Sequence, residues 1–114
     1  MKISVSDGTH SIIYELNSSS PSQSLYGLLP LDAEVKNYAH NEKTFYPPQA
    51  IDTADGVEGS GEAGDPALFS PWGNIVLYYG SFEAYPGLYI PGHALEGAQW
   101  ISSLSGIIHV EAVK

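Results

Sequence analysis

The chain has 114 residues, enough for one domain with a single buried core, and its 43% apolar and 15% charged composition excludes a disordered chain. It has no cysteine, which excludes disulfides, thiolate metal sites and a cysteine nucleophile. Thirteen acids face four basic residues, Lys2, Lys36, Lys43 and Lys114, with no arginine. The formal charge of −9 repels phosphate backbones, so neither nucleic acid nor an anionic membrane surface is an expected partner.

Eight prolines and twelve glycines are spread along the chain, which favours many short strands over a helical bundle. Residues 2–16 read as a hairpin, because Asp7-Gly8 separates two alternating apolar runs and such a turn needs positive φ. Ser20, Pro21 and Gln23 form a capping-box pattern with proline at the first helical position. Leu25, Leu28 and Leu29 then fall on one face and Pro30 stops the element, which predicts a helix over 21–29. Leu31, Ala33 and Val35 alternate with Asp32, Glu34 and Lys36, a half-buried strand running to Tyr38. "HNEKTFYPPQAID" carries a short strand limited by Pro47 and Pro48, which cannot donate to a ladder.

Residues 52–65 hold five acids and four glycines and read as a mobile, solvated loop or wide hairpin. Strands follow at 66–70 and 74–80, joined by Pro71-Trp72-Gly73-Asn74, in which Pro71 presets φ and Gly73-Asn74 tolerate positive φ. A short strand is expected at 88–90. Trp100, Ile101 and Leu104 have helical spacing ahead of Gly106, and the last strand begins there. With eight or so strands and two short helices, residues 1–114 form a single domain, expected to be a small closed or nearly closed barrel. No segment approaches the roughly 18 apolar residues of a membrane span. The start "MKISVSDGTH" lacks a leader-like apolar run, so a cytoplasmic location is expected.

Candidate chemistry is sparse. Asp52, Asp55, Glu58, Glu62 and Asp65 offer oxygens to a hard cation, but their spacing matches no calcium loop, so a solvated loop is the default. His40 and Glu42 would share a strand face, and a third metal ligand from His10, His93 or His109 has no diagnostic spacing. No nucleophile elbow, phosphate loop or dinucleotide fingerprint is present. No metal and no cofactor is therefore expected. The thirteen aromatic residues remain as a resource. Most are expected to be core, although rings with polar tips also line small-ligand and peptide pockets.

Leu28-Leu29-Pro30-Leu31, Asn41-Glu42-Lys43 followed by Phe45-Tyr46, Gly64-Asp65, Pro71-Trp72-Gly73-Asn74 and Tyr78-Tyr79-Gly80-Ser81-Phe82 occur in this order. Their order and spacing resemble the cyclophilin-like domain of small uncharacterised bacterial and archaeal proteins, over roughly residues 25–106. The resemblance implies a closed eight-stranded antiparallel barrel with helices plugging its ends. Pro66 and the run Tyr46-Pro47-Pro48 depart from that pattern and bear on local strand edges. The resemblance also implies a test against prolyl isomerisation. True cyclophilins need an arginine on the twisted prolyl amide, and lysine does not present the same planar fork. Isomerase activity is therefore not expected.

The leading expectation is a non-catalytic binding module for a small molecule or short peptide, lined by Glu42, Tyr46, Trp72 and Phe82. Trp72 would stack on the ligand and Glu42 would accept a hydrogen bond from it, against plainer readings in which Trp72 closes the barrel end and Glu42 is a surface charge beside Lys43. The last of these is the favoured reading of the glutamate, and closure is the favoured reading of the ring. One alternative is an enzyme using Glu42 or Asp65 as acid/base, although Asp65 also suits a turn before a strand. Another is a structural domain that homodimerises through aromatic or strand-edge surface.

Overall fold

The structure is a computed structural model and describes residues 1–113. Nine strands alternate with one α-helix and one 3-10 helix: β1 (Lys2–Ser6), β2 (Ser11–Leu16), α1 (Ser20–Gly27), β3 (Leu31–Tyr38), β4 (Glu42–Phe45), β5 (Pro66–Phe69), β6 (Asn74–Tyr78), β7 (Leu88–Tyr89), β8 (Gly92–Glu96), the 3-10 helix (Ala98–Ser103) and β9 (Gly106–Val113). All pairings are antiparallel, and the sheet runs β7-β5-β6-β4-β3-β9-β1-β2-β8. The mainly β fold with two short helices is as expected, but the closed eight-stranded barrel is not. The ninth strand is β8, which lies against β2, and the sheet ends at two edges, β7 and β8. Only Ile90 and Pro91 separate those edges along the chain. Pro91 has no N–H to donate, and Ile90 donates its own to the Val57 carbonyl at 2.7 Å instead. Among the described residues no helix is long and apolar enough to cross a membrane.

The 3.6-residue and two-residue periods explain the core. Ile3, Val5, Ile12, Tyr14, Leu16, Leu31, Val35, Ile108 and Val110 alternate along their strands and meet on one side of the sheet. Ile101 and Leu104, both fully buried, join that core from the 3-10 helix and its end, as their spacing predicts. The other helix is shorter than expected. It stops at Gly27, so Leu28 and Leu29 pack on the core from beyond its end while Leu25 packs from within it. Its N-cap is Ser19 rather than Ser20, and the capping box does not form. The Ser19 hydroxyl is instead within reach of Asn17 and Ser22, and Gln23 Nε2 donates to the Ser18 carbonyl at 2.6 Å. The exposed N–H of Ser20 is met from a distance in sequence by the Asp55 carboxylate.

The first hairpin forms, though not as a two-residue turn. Residues 7–10 make a wider loop closed by Asp7, whose Oδ1 accepts the N–H groups of Thr9 and His10 at 2.9 and 2.7 Å. Its Oδ2 lies 3.3 Å from the Ser105 nitrogen, tying the hairpin to the start of β9. The N–H of His10 foremost, then those of Thr9 and Ser105 and the His10 ring, hold the Asp7 carboxyl down at about 2, against the opposing cost of burial. The side chain is only 5% exposed, so the shift bears on stability. The unfolded chain binds a proton near the ordinary value of 3.8 and the native state does not, so stability falls with pH across the window from 3.8 to about 2. The expected loss is about 2 kcal/mol. An Asp7→Asn variant should lack it in urea titrations run across that window; parallel acid profiles for the two proteins would show that Asp7 is not the linked group.

Candidate functional site

β6 is buried at all five positions, Asn74 to Tyr78, although alternate residues face opposite sides of a sheet. Something must therefore cover both of its faces. Ile75 and Leu77 join the main core, while Val76 and Tyr78 form a second, smaller cluster with Ala67 and Leu88. The registers place the outer-face residues side by side: Tyr38 opposite Glu42, Glu42 opposite Tyr78, Thr44 and Ala67 opposite Val76, and Phe69 opposite Asn74 and Leu88. Over this floor lie the β5–β6 turn, carrying Trp72, and the segment after β6, carrying Phe82, Glu83 and Tyr85. Between them is a cavity of about 520 Å³. That volume falls within the roughly 300–1,000 Å³ of small-molecule sites.

The cavity wall is a chain of edge-to-face rings. Tyr38 meets Trp72 at 5.2 Å, Trp72 meets Phe69 at 5.5 Å, and Phe69 meets Tyr85 at 5.8 Å. Phe82 stacks flat on Tyr78 at 3.8 Å. Such pairs hold one another's rotamers and give the wall a defined shape. The turn carrying Trp72 is a β-hairpin connection as expected, with the N–H of Gly73 donating to the Phe69 carbonyl at 2.8 Å and Gly73 at φ 70. Asn74, expected to share that positive φ, is instead the first residue of β6 and is 3% exposed.

Two polar groups stand out on the lining. Asn74 Oδ1 is buried and has no hydrogen-bond partner, a state that native interiors seldom leave unmet. Glu42 is half-buried, and its burial raises the carboxyl above its ordinary value of 4.5. Burial, then the neighbouring Glu42 charge, pushes the Tyr78 phenol up to about 12. In the native state Glu42 thus holds its proton more tightly than in the unfolded chain. Its protonated form favours the fold below 4.5, and that contribution fades as pH rises through the raised native value. A side-chain carboxyl titration followed by NMR should give Glu42 a midpoint above 4.5; one at or below 4.5 would mean that the residue is solvated.

Three of the four expected lining residues, Glu42, Trp72 and Phe82, meet at this cavity. Tyr46 does not. It follows β4, is 59% exposed and lies outside the lining. Trp72 does not close a barrel end, since it is 49% exposed on the cavity wall and absent from the main core. Nor is Glu42 a surface charge beside Lys43. Neighbouring strand residues face opposite sides, Lys43 is buried on the other one, and among the described residues neither has an ion-pair partner. Asp65 is not on the cavity; its Oδ2 accepts the Glu62 N–H at 2.9 Å, the turn role that a Gly-Asp pair suggests. Among the described residues no three His, Asp or Glu side chains converge as a metal-ligand set.

The acidic stretch 52–65 supports the site mechanically. Gly61 and Phe82 exchange two backbone hydrogen bonds of 3.1 Å, Glu58 bridges to Tyr89, and the Glu58 carboxylate accepts the Gly87 N–H at 2.7 Å. Gly87 in turn receives the Ser70 N–H and hydroxyl on its carbonyl, at 2.9 and 3.0 Å. Among the acids, Glu58 thus ties this stretch to the segment after β6, while Asp52, Asp55, Glu58 and Glu62 stay exposed, as a solvated loop or wide hairpin leaves them. Sequence reasoning missed Tyr38, Phe69, Asn74, Tyr78 and Tyr85. The available signal was the unbroken apolar run "NIVLYY", which lacks the alternation of a strand with one wet face.

No curated protein matches the chain. Among solved structures, the solution structure of the hypothetical protein AF2241 from Archaeoglobus fulgidus aligns with a TM-score of 0.81 at 16% identity, covering 99% of this chain and 95% of that one. At that identity the likeness shows the fold alone. A family model described as the cyclophilin-like family matches residues 5–112, which takes in β2 to β8 whole, the end of β1 and most of β9. The chain belongs to the cyclophilin-like family of small uncharacterised proteins.

Proposed function

We propose that this protein is a non-isomerase binding module that seats a small molecule or short peptide in the cavity over the outer face of β4, β6 and β5. The observation that carries the reading is a ring-walled cavity of about 520 Å³ whose lining includes the half-buried Glu42 carboxyl and the Asn74 side chain. An apolar body would stack on Trp72, and a donor group would meet Glu42 or Asn74. Screening a chemically diverse fragment library by amide-shift mapping tests it. Binders should perturb Glu42, Trp72, Asn74 and Phe82 together; a library without one such binder would contradict the reading.

A second reading has one observation in its favour. Glu42 is a carboxyl raised by burial inside a cavity, the condition that general acid/base chemistry requires. Asp65 has no such placement, so Glu42 alone carries this alternative. Prolyl isomerisation is outside both readings, since the chain has no arginine to polarise the amide. A standard proline-peptide assay should therefore run at its uncatalysed rate, and acceleration well above background would refute the exclusion.

A further inference from the structure

The charge and chemistry of the lining narrow the ligand class. The wall holds the rings of Tyr38, Trp72 and Tyr85, whose faces are electron-rich and whose edges are electron-poor. Its charged members are Glu42 and Glu83, and no lysine, arginine or histidine lines it among the described residues. Asn74 adds a side-chain amide, which carries no charge. A ligand carboxylate or phosphate would thus meet two acids with no cationic counterpart, at a cost in desolvation and repulsion. A neutral apolar ligand would leave Glu42 and Asn74 buried beneath it unpaired. A ligand that brings positive charge together with apolar surface suits the wall and Glu42 together, because a cation gains from aromatic faces and from a carboxylate at once. The field of the whole chain, with its formal charge of −9, draws the same ligand in.

From this convergence we infer that the cavity is a receptor for an organic ammonium ion, held between Trp72, Tyr38 and Tyr85 with Glu42 as its counter-ion. The inference rests on the binding reading above. The ammonium group has two sources, a free amine or the alkylated lysine side chain of a peptide, and both present the same chemistry to the wall.

The test uses choline and its neutral isostere, in which the quaternary nitrogen is replaced by carbon, each titrated into the full chain with amide-shift mapping. Choline should perturb Tyr38, Glu42 and Trp72 and bind about tenfold more tightly than the isostere. Glu42→Gln should remove about tenfold of choline affinity while leaving the isostere unaffected. Trp72→Phe, which keeps a ring, should weaken choline less than Trp72→Ala does. An N-acetylated trimethyl-lysine amide separates the sources: affinity about tenfold above choline favours a peptide side chain, equal affinity favours a free amine, and both support the inference. Equal binding of choline and isostere would overturn it, as would failure of choline to bind. If fragments that are neutral or anionic occupy the cavity and ammonium ions do not, the ligand class falls and the binding module stands. If nothing in either experiment enters the cavity, both fall.

Discussion

Gly97→Ala is expected to be strongly destabilising, costing about 3–5 kcal/mol. Gly97 precedes the 3-10 helix at φ 81, a region that side chains with a Cβ rarely adopt. A Cβ there would also sit 2.2 Å from the Ser11 carbonyl oxygen, which is backbone and cannot swing aside. The two costs are separable. Gly8, at φ 92 in the first hairpin loop, has nothing within 4 Å of its would-be Cβ. Gly8→Ala should therefore pay only for φ, about 1 kcal/mol. Against a total stability of roughly 5–15 kcal/mol, the difference decides whether the domain survives mild denaturant. Urea midpoints for the two variants check it, and equal midpoints would show that the close approach to Ser11 carries no weight.

For ligand binding the largest expected effect belongs to Trp72→Ala. Trp72 has edge-to-face contacts with Tyr38 and Phe69, so removing it deletes a stacking surface and frees two neighbours. For any ligand seated in the cavity the affinity should fall by about thirtyfold. Because the side chain is 49% exposed and lies outside the main core, the fold should survive the change. Trp100 provides the control. It is similarly exposed, at 44%, but stacks on His10 at 5.3 Å, away from the cavity lining. Calorimetry should find Trp100→Ala within about twofold of the parent; similar losses from both variants would mean that the effect is not local to the cavity.

The acid behaviour of the protein has two opposing contributors. Asp7, held down at about 2 by backbone N–H groups, makes the fold weaker as pH falls. Glu42, raised by burial, makes it stronger over its own window. The difference follows from what surrounds each carboxyl. Asp7 closes a loop in which the Thr9 and His10 N–H groups point at it, whereas Glu42 sits on a strand face covered by rings.

What could be read from the sequence was local. The strand from Leu31 to Tyr38 alternates cleanly and forms as written, and Ile101 and Leu104 point into the core as their spacing requires. The order of motifs around Trp72 identified the family. What could not be read was anything decided by partners distant in the chain. β8, "GHALE", has neither a clean apolar alternation nor a β-branched run, and it exists because β2 offers it an edge. That added strand and the proline break beside it are why the sheet ends in two edges where closure was expected. The acidic stretch is exposed at Asp52, Asp55, Glu58 and Glu62, as its composition suggests, but composition alone does not say that Glu58 meets Gly87 or that Gly61 pairs with Phe82.

The site was half legible for the same reason. Glu42, Trp72 and Phe82 are polar-tipped or bulky residues in or beside turns, and turns do cover the cavity. Tyr46 is of the same kind and lies elsewhere, since its position follows from the end of β4 rather than from its chemistry. Asn74 and Tyr78 were hidden inside an apolar run that looked like barrel wall. Only the register of β6 against β4 and β5 shows that every second residue of that run faces the cavity.

A ligand seated as proposed lies between the Trp72 turn and the Phe82 segment. Intermolecular NOEs from a bound fragment or choline to the protein locate it. They should run to the Trp72 indole, the Val76 methyl groups and the Phe82 ring, all of which line the cavity. Contacts instead to Leu16, Val57 and Ile90, which line a separate hollow of about 300 Å³ beside β2 and β8, would contradict it.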